Sequence, residues 1–299
     1  MKEIALIGPT ASGKSDLALR LAQENNAHIL SLDSLSLYKE IDIASAKPSK
    51  EELAMVKHFG IDLIYPGEAF SVGIFAKLYK TLRKQCETEN KNLIIVGGSS
   101  FYLRTLLQGL SVIPEYSQLT KQKVDELLKD PSAAYTLLAD ADPAYMKGIE
   151  SSDRYRIEKM LLIYIQTGMT PSRYFQENPP VPAIKALPIY EIDVDRTCLK
   201  ERIRLRTQKM LDIGLVDEVC ALEYRYTRSP NALKAIGIIE VFEYLDGRIN
   251  LDELREEIIT HTLQLAKRQQ TFNRTQFPDR KLLSTEEIYE EASRYLKQV

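Results

Sequence analysis

Only three cysteines and three histidines occur among the 299 residues of this chain. Cys86, Cys198 and Cys220 are odd in number and far apart, with no C-x-x-C pair, which argues against a disulfide framework and a cysteine-ligated zinc site. They are expected to be reduced packing residues. His28, His58 and His261 are equally scattered, and without H-x-x-x-H spacing they read as structural rather than metal-ligating. No apolar run approaches the roughly 20 residues that a membrane helix needs. Strand-like sequence begins almost at Met1, with no signal-peptide pattern, so a cytoplasmic protein with no membrane partner is expected. Internal repeats and low-complexity tracts are missing as well. A strong charge of either sign is also absent, and the net charge of -2 argues against indiscriminate nucleic-acid binding.

What the chain does have is 44% hydrophobic residues, enough for a full core in one large domain plus a smaller one. Its small net charge conceals a segregation. Basic residues gather at Lys200, Arg202, Arg204, Arg206 and Lys209, at Arg154, Arg156 and Lys159, and at Lys267, Arg268 and Arg274. Three such runs in a chain that also grips phosphate are compatible with an anionic partner larger than one nucleotide, although each alone also reads as a solvated helix face.

Gly8-Pro9-Thr10-Ala11-Ser12-Gly13-Lys14-Ser15 fits the phosphate-loop pattern G-x-x-x-x-G-K-[ST], directly after the apolar run Ile4-Ala5-Leu6-Ile7. Glycines let successive N–H groups turn inward, Lys14 brings a mobile positive charge, and Ser15 can hold a magnesium ion. An amphipathic helix follows, whose positive N-terminus faces the phosphates.

Alternating strand and helix signals run to about Gly109, with strands at Glu3–Ile7, His28–Asp33, Ile61–Tyr65 and Asn92–Val96. That order predicts a parallel sheet sandwiched by helices, with ligands at the carboxyl ends of its strands, where Gly8, Asp33 and Gly97 fall. From about Ile113 the periodicity is helical, with turns at Asp130-Pro131 and Asp142-Pro143, until the proline-rich extended stretch 178–182. One more strand, Leu187–Asp193, is expected to rejoin the sheet; Asp195 then caps a basic helix through Leu211, and the remainder reads as helical. The predicted architecture is α/β, a P-loop NTPase-like parallel sheet flanked by helices. Its core is split into residues 1–112 and 185–299 around a helical insertion at 113–184.

Asp33 ends the second strand on the rim that carries the phosphate loop, the place for a base that deprotonates an acceptor; a plain turn residue is the alternative. The fourth strand ends in Gly97-Gly98-Ser99-Ser100, where a hydrolytic NTPase carries a magnesium-holding acid. Ser99 is placed to donate to a leaving-group oxygen, or to cap the next helix. Arg202 and Arg206 stand four residues apart, so two guanidinium groups can converge on one polyphosphate.

Together these residues resemble the tRNA dimethylallyltransferases, or tRNA isopentenyltransferases. The resemblance spans nearly the whole chain, through GPTASGKS at 8–15, DSLSLYKEIDIASAKP at 33–48, GGSSFYLRTLLQGL at 97–110, SDRYRIEKML at 152–161, LKERIRLRTQKMLDIGLVDEV at 199–219, KAIGIIEV at 234–241 and LAKRQQTFNR at 265–274. It implies transfer of a dimethylallyl group from dimethylallyl diphosphate to the N6 of an adenosine beside the anticodon, by a monomer that binds the anticodon stem-loop of tRNA. By that resemblance Gly8, Thr10, Ala11, Ser12, Gly13, Lys14, Ser15 and Arg206 hold the diphosphate, with Mg2+ near Ser15. Asp33 is the general base, and Ser99 and Arg202 steady the bridging oxygen. Asp33, Ser34, Leu35 and Ser36, with Tyr155, Arg156, Ile157, Glu158 and Lys159, are implied RNA contacts; Tyr38, Phe75, Phe101 and Phe272 are candidates for stacking on a flipped base. The chain departs from the family pattern at Ser36, Ser99, Ser100, Lys159 and Phe272 to Arg274. A kinase that uses ATP on the same loop, and an RNA-binding protein without catalysis, are the alternative readings.

Overall fold

A computed structural model describes residues 1–298. In chain order the elements are β1 (Glu3–Ile7), α1 (Lys14–Glu24), β2 (Ala27–Ser31), α2 (Lys50–Met55), β3 (His58–Phe59), α3 (Val72–Glu89), β4 (Asn92–Gly97) and α4 (Ser100–Gln108). Next come α5 (Gln118–Leu127), α6 (Pro131–Ala141), α7 (Pro143–Met146), α8 (Arg154–Thr167) and α9 (Pro171–Glu177). The chain ends with β5 (Ile189–Ile192), α10 (Arg196–Asp212), α11 (Leu215–Tyr226), a 3-10 turn (Asn231–Lys234), α12 (Ile238–Leu245), α13 (Leu251–Gln276), β6 (Lys281–Leu283) and α14 (Thr285–Lys297).

Six parallel strands form one sheet in the order β3-β2-β4-β1-β5-β6. Ile4, Ala5, Leu6 and Ile7 are all fully buried, as expected of a central strand covered on both faces. Ile4 and Leu6 join Ile94, Val96 and Tyr190 in the layer that packs against α1 and against Ile288, Ala292 and Leu296 of α14. The strand at Leu187–Asp193 does rejoin the sheet, as β5 beside β1.

Two expectations fail locally. No strand occupies Ile61–Tyr65, because Gly60, at φ +79, turns the chain out of the sheet after Phe59. Residues 62–64 instead bond back to the loop after β2, through Asp62 N–H to Ser36 O and Leu63 N–H to Leu37 O. Nor is the C-terminal part wholly helical: β6 pairs with β5 at the sheet edge. It is three residues long and half exposed, too short for a periodic signal.

The chain divides into two compact units, Met1–Leu107 with the residues from Ile184 onward, and Gln108–Ala183. In the second unit, Ile157, Leu161 and Ile163 of α8 pack on Val124 of α5 and Leu138 of α6. Both Asp-Pro turns start helices there: Asp130 and Asp142 accept first-turn N–H groups, and proline takes the first helical position, where no donor is needed.

In the first unit the packing of Leu199 and Ile203 of α10 on Ile259 and Ala266 of α13, with Ala11 against the same cluster, sets the phosphate loop beside both helices. Asp195 caps α10 as expected, accepting Thr197 N–H at 2.8 Å and Cys198 N–H at 3.0 Å. Cys86 is buried as a packing residue is, but Cys198 and Cys220 are exposed on α10 and α11, contrary to expectation. The histidines pair with neighbours: His28 with Glu89 and His261 with Glu240, each at 2.6 Å, and His58 with the Val56 carbonyl at 2.7 Å. Among the described residues no helix is long and apolar enough to cross a membrane.

Candidate active site

The phosphate loop is a run of inward-facing backbone. Ala11 takes a left-handed φ of 62 and Gly13 one of 91; a side chain rarely adopts the latter, so glycine opens the helix here. No side chain caps the start of α1, which leaves its first N–H groups for an anion. Lys14 Nζ donates to the Pro9 carbonyl at 3.0 Å, curled over the loop. Burial first, and then the like charge of Arg206, lowers the Lys14 ammonium to about 8, with Asp33 pulling the other way. Arg202 donates to the Ser12 carbonyl at 3.0 Å.

Three cavities meet around this loop. A polar cradle of about 700 Å3 is lined by Ala11 to Leu17, Lys47, Arg202 and Arg206. A pocket of about 600 Å3 has apolar walls from Ile203, Met210, Ile236, Ile258, Leu265 and Phe272, with Asp33, Ser99, Gln269 and Arg206 also lining it. Between them a space of about 80 Å3 holds Lys14, Ser15, Asp33 and again Arg206. Arg206 lines all three, and burial lowers its pKa while Asp33 opposes that shift. Asp33 lines the apolar pocket and the junction, two residues beyond the end of β2.

Asp33 is also a turn residue, so the two readings of it coexist. Its Oδ1 accepts Leu35 N–H at 2.8 Å and Ser36 N–H at 3.2 Å, an Asx turn that fixes the carboxylate. Oδ2 carries no hydrogen bond within the described chain. Ser99 Oγ accepts Ser34 N–H at 3.1 Å and lies 3.2 Å from Ser34 Oγ, which ties the β4 loop to the β2 loop. The rest of the β2 loop is held from α11, where the Glu218 carboxylate accepts the N–H groups of Asp42, Ile43 and Ala44 at 2.7–2.9 Å.

The structure separates residues that the sequence runs together. Ser36 is buried, in contact with Ser31 Oγ and donating to the Asp33 carbonyl, so its hydroxyl supports the turn beneath the junction it lines. Leu35 is half-buried against the cluster around Ile41 and Met210. In the other unit Ile157 is wholly buried in the core, again no RNA contact, whereas Tyr155 is 69% exposed. Arg156 pairs with Asp153 at 3.3 Å, and Lys159 pairs with Glu158 at 3.0 Å and lies over the Tyr155 ring. Of the stacking candidates, Phe75 is core; Phe101 and Phe272 line the apolar pocket, and Tyr38 is half-buried. Tyr102, passed over in the sequence, stacks on Phe75 at 4.8 Å and lines that pocket, its hydroxyl pushed up to about 12 by burial. Gln269 was passed over too, although it stands in the run 265–274.

Sheet order and phosphate loop define a phosphate-loop α/β protein, and β4 ends in glycine without the acid of a hydrolytic NTPase. Residues 36–276 match the family model described as IPP transferase, and the chain belongs to that family. It is 56% identical over 277 residues to the tRNA dimethylallyltransferase of Sulfurimonas denitrificans, covering 93% of each chain. With that of Nautilia profundicola it shares 53% over 288 residues, 96% of this chain and 97% of the other. A crystal structure of tRNA delta(2)-isopentenylpyrophosphate transferase from Staphylococcus epidermidis superposes with a TM-score of 0.69 at 28% identity, covering 99% of both chains. A eukaryotic dimethylallyltransferase acting on tRNA shares the fold, with a TM-score of 0.84 at 24% identity over 99% of this chain and 77% of that one.

Proposed function

We propose that this chain transfers the dimethylallyl group of dimethylallyl diphosphate to the exocyclic N6 of adenosine 37 in tRNA, giving N6-(dimethylallyl)adenosine and diphosphate. The reading is carried by the junction at which Asp33 and Arg206 stand between a polar cradle and an apolar pocket. The diphosphate lies in the cradle, on the uncapped start of α1, Lys14 and the two arginines. The five-carbon group and the adenine meet on the apolar side. The N6 lone pair attacks C1 as the C1–O bond breaks and its electron pair passes to the bridging oxygen; the N6 proton goes to the Asp33 carboxylate. Because an allylic carbon shares positive charge, holding the departing diphosphate lowers the barrier most, and that is the work of Lys14, Arg202, Arg206 and the Ser99 hydroxyl.

A magnesium ion fits the donor set. Ser15 presents an exposed hydroxyl at the start of α1, and no cluster of three or more His, Cys, Asp or Glu side chains able to hold a metal occurs among the described residues. Ser15 would hold a magnesium ion together with oxygens of the bound diphosphate, the oxygen set this hard cation takes, and the ion would supply charge neutralisation for the leaving group. Exposed Tyr155 and Arg156 on α8, with Arg154 beside them, are the insertion's contacts for the anticodon stem-loop.

Incubation with labelled dimethylallyl diphosphate and unmodified tRNA tests the reading, with labelled ATP and small hydroxyl acceptors in parallel. Label in the tRNA adenosine is the expected result; phosphoryl transfer from ATP with no label in tRNA overturns it.

The lowered pKa of Lys14 gives the donor affinity a pH dependence. The protonated ammonium is the form that attracts the diphosphate, and in the free protein it is lost as pH rises through about 8. Affinity for dimethylallyl diphosphate is therefore expected to be flat near about pH 7 and to fall roughly tenfold per unit well above the Lys14 pKa. Calorimetric titration across that range checks it, and Lys14→Met should bind weakly and lose the break.

A further inference from the structure

The loops after β1 and β4, on neighbouring strands, are joined by one side chain from far along the sequence. Gln269 Oε1 accepts the Thr10 N–H at 2.9 Å, and its Nε2 donates to the Gly98 carbonyl at 3.1 Å. Each end of the amide meets the backbone group of opposite polarity. A glutamate would set a second oxygen against the Gly98 carbonyl, and asparagine is one methylene short. The amide comes from a rigid element, since Ala266, one turn earlier on α13, is buried against Leu199 and Ile203 of α10. Gly98 is shaped to the same contact: a Cβ built there would lie 2.3 Å from Gln269 Nε2.

The bond to Thr10 consumes an N–H that a phosphate loop otherwise turns toward its anion, so the cradle begins at Ala11. Thr10, Gly98 and Gln269 line the apolar pocket instead. One side of the bridge thus runs into the loop that holds the leaving group, and the other into the loop that carries Ser99.

We propose that Gln269 is a positioning residue: its amide sets the spacing between the phosphate loop and the Ser99 loop, and so the alignment of the transferred carbon with its leaving oxygen. This rests on the transferase reading above. Alignment differs from binding in its kinetic signature, because a small misplacement of bound reactants lowers the rate of transfer and leaves the donor gripped by Lys14 and α1.

The test is a double-mutant cycle of Gln269→Ala and Gly98→Ala. Gly98→Ala removes no functional group, but its methyl displaces the amide, so the two single variants should lose the same thing. Each is expected to lower kcat by about 10- to 100-fold with the KM for dimethylallyl diphosphate within about threefold of wild type. In the double variant the loss should match that of Gln269→Ala alone, because the collision is gone once the amide is. Amide hydrogen exchange at Thr10 provides a readout independent of turnover and should quicken in both single variants. Unchanged exchange at Thr10, single variants turning over within about twofold of wild type, or losses that multiply in the double variant overturn the proposal. A wild-type protein that leaves tRNA unlabelled sinks the transferase reading instead, while the exchange measurement still decides the bridge.

Discussion

Asp33→Asn is expected to slow transfer to tRNA by about 100- to 10,000-fold, the span that loss of a general base produces. Asparagine keeps the oxygen that accepts Leu35 N–H and Ser36 N–H, so the turn survives while the group can no longer take the N6 proton. Asp33→Ala loses the turn as well, which makes the amide the cleaner variant. Affinity for tRNA should be unchanged. Donor affinity at neutral pH should move little, since two effects oppose: removing a negative charge near the cradle favours the anion, and removing the group that holds up the Lys14 pKa disfavours the charged lysine. Single-turnover transfer with binding measured separately separates these quantities. A rate within about tenfold of wild type would remove Asp33 from the proton transfer.

Arg206→Ala is expected to lower kcat by about 100- to 1,000-fold, as removal of one preorganised charge from a leaving-group site does. Among the described residues the Arg206 guanidinium makes no hydrogen bond or ion pair, though it is half-buried. Burial disfavours this cation and its neighbour Lys14 is of like sign, with Asp33 offsetting only part of that cost. Arg206→Ala should therefore melt no lower than wild type while losing turnover, the expected trade between stability and function. Arg202 differs: it is exposed and already bonded to the Ser12 carbonyl, so its removal should cost the rate less. Thermal melting beside kcat for both variants checks the order; an Arg206→Ala enzyme that turns over normally places the leaving group elsewhere.

How far the sequence revealed this architecture depended on the range of the forces involved. The phosphate loop was legible because its conformation is local: glycine at the left-handed position, an apolar strand before it and an amphipathic helix after it. Asp33 was legible from the rule that parallel strands bring their carboxyl ends to one rim. The edge strands were not, since β3 has two residues and β6 three, and the apolar alternation at Ile61–Tyr65 follows a glycine that turns the chain away. Contiguous motifs misled where a fold sorts neighbours to opposite faces. On α8, Tyr155 faces out and Ile157 joins the core stripe with Leu161; after β2, Ser34 is exposed and Ser36 buried. Gln269 was hidden for a different reason, as its partner Thr10 lies 259 positions away and no local pattern records a bond of that reach.

In the proposed transfer, donor carbon, acceptor nitrogen and Asp33 meet where the polar cradle joins the apolar pocket. That meeting is tested most directly by the structure of the protein with an unmodified anticodon stem-loop and an unreactive thio analogue of dimethylallyl diphosphate. The expected arrangement has the diphosphate on residues 11–15 and C1 about 3–3.5 Å from adenine N6, with an Asp33 carboxylate oxygen within roughly 3.2 Å of that nitrogen. A diphosphate seated away from the loop, or an adenine amine beyond the reach of Asp33, contradicts the account.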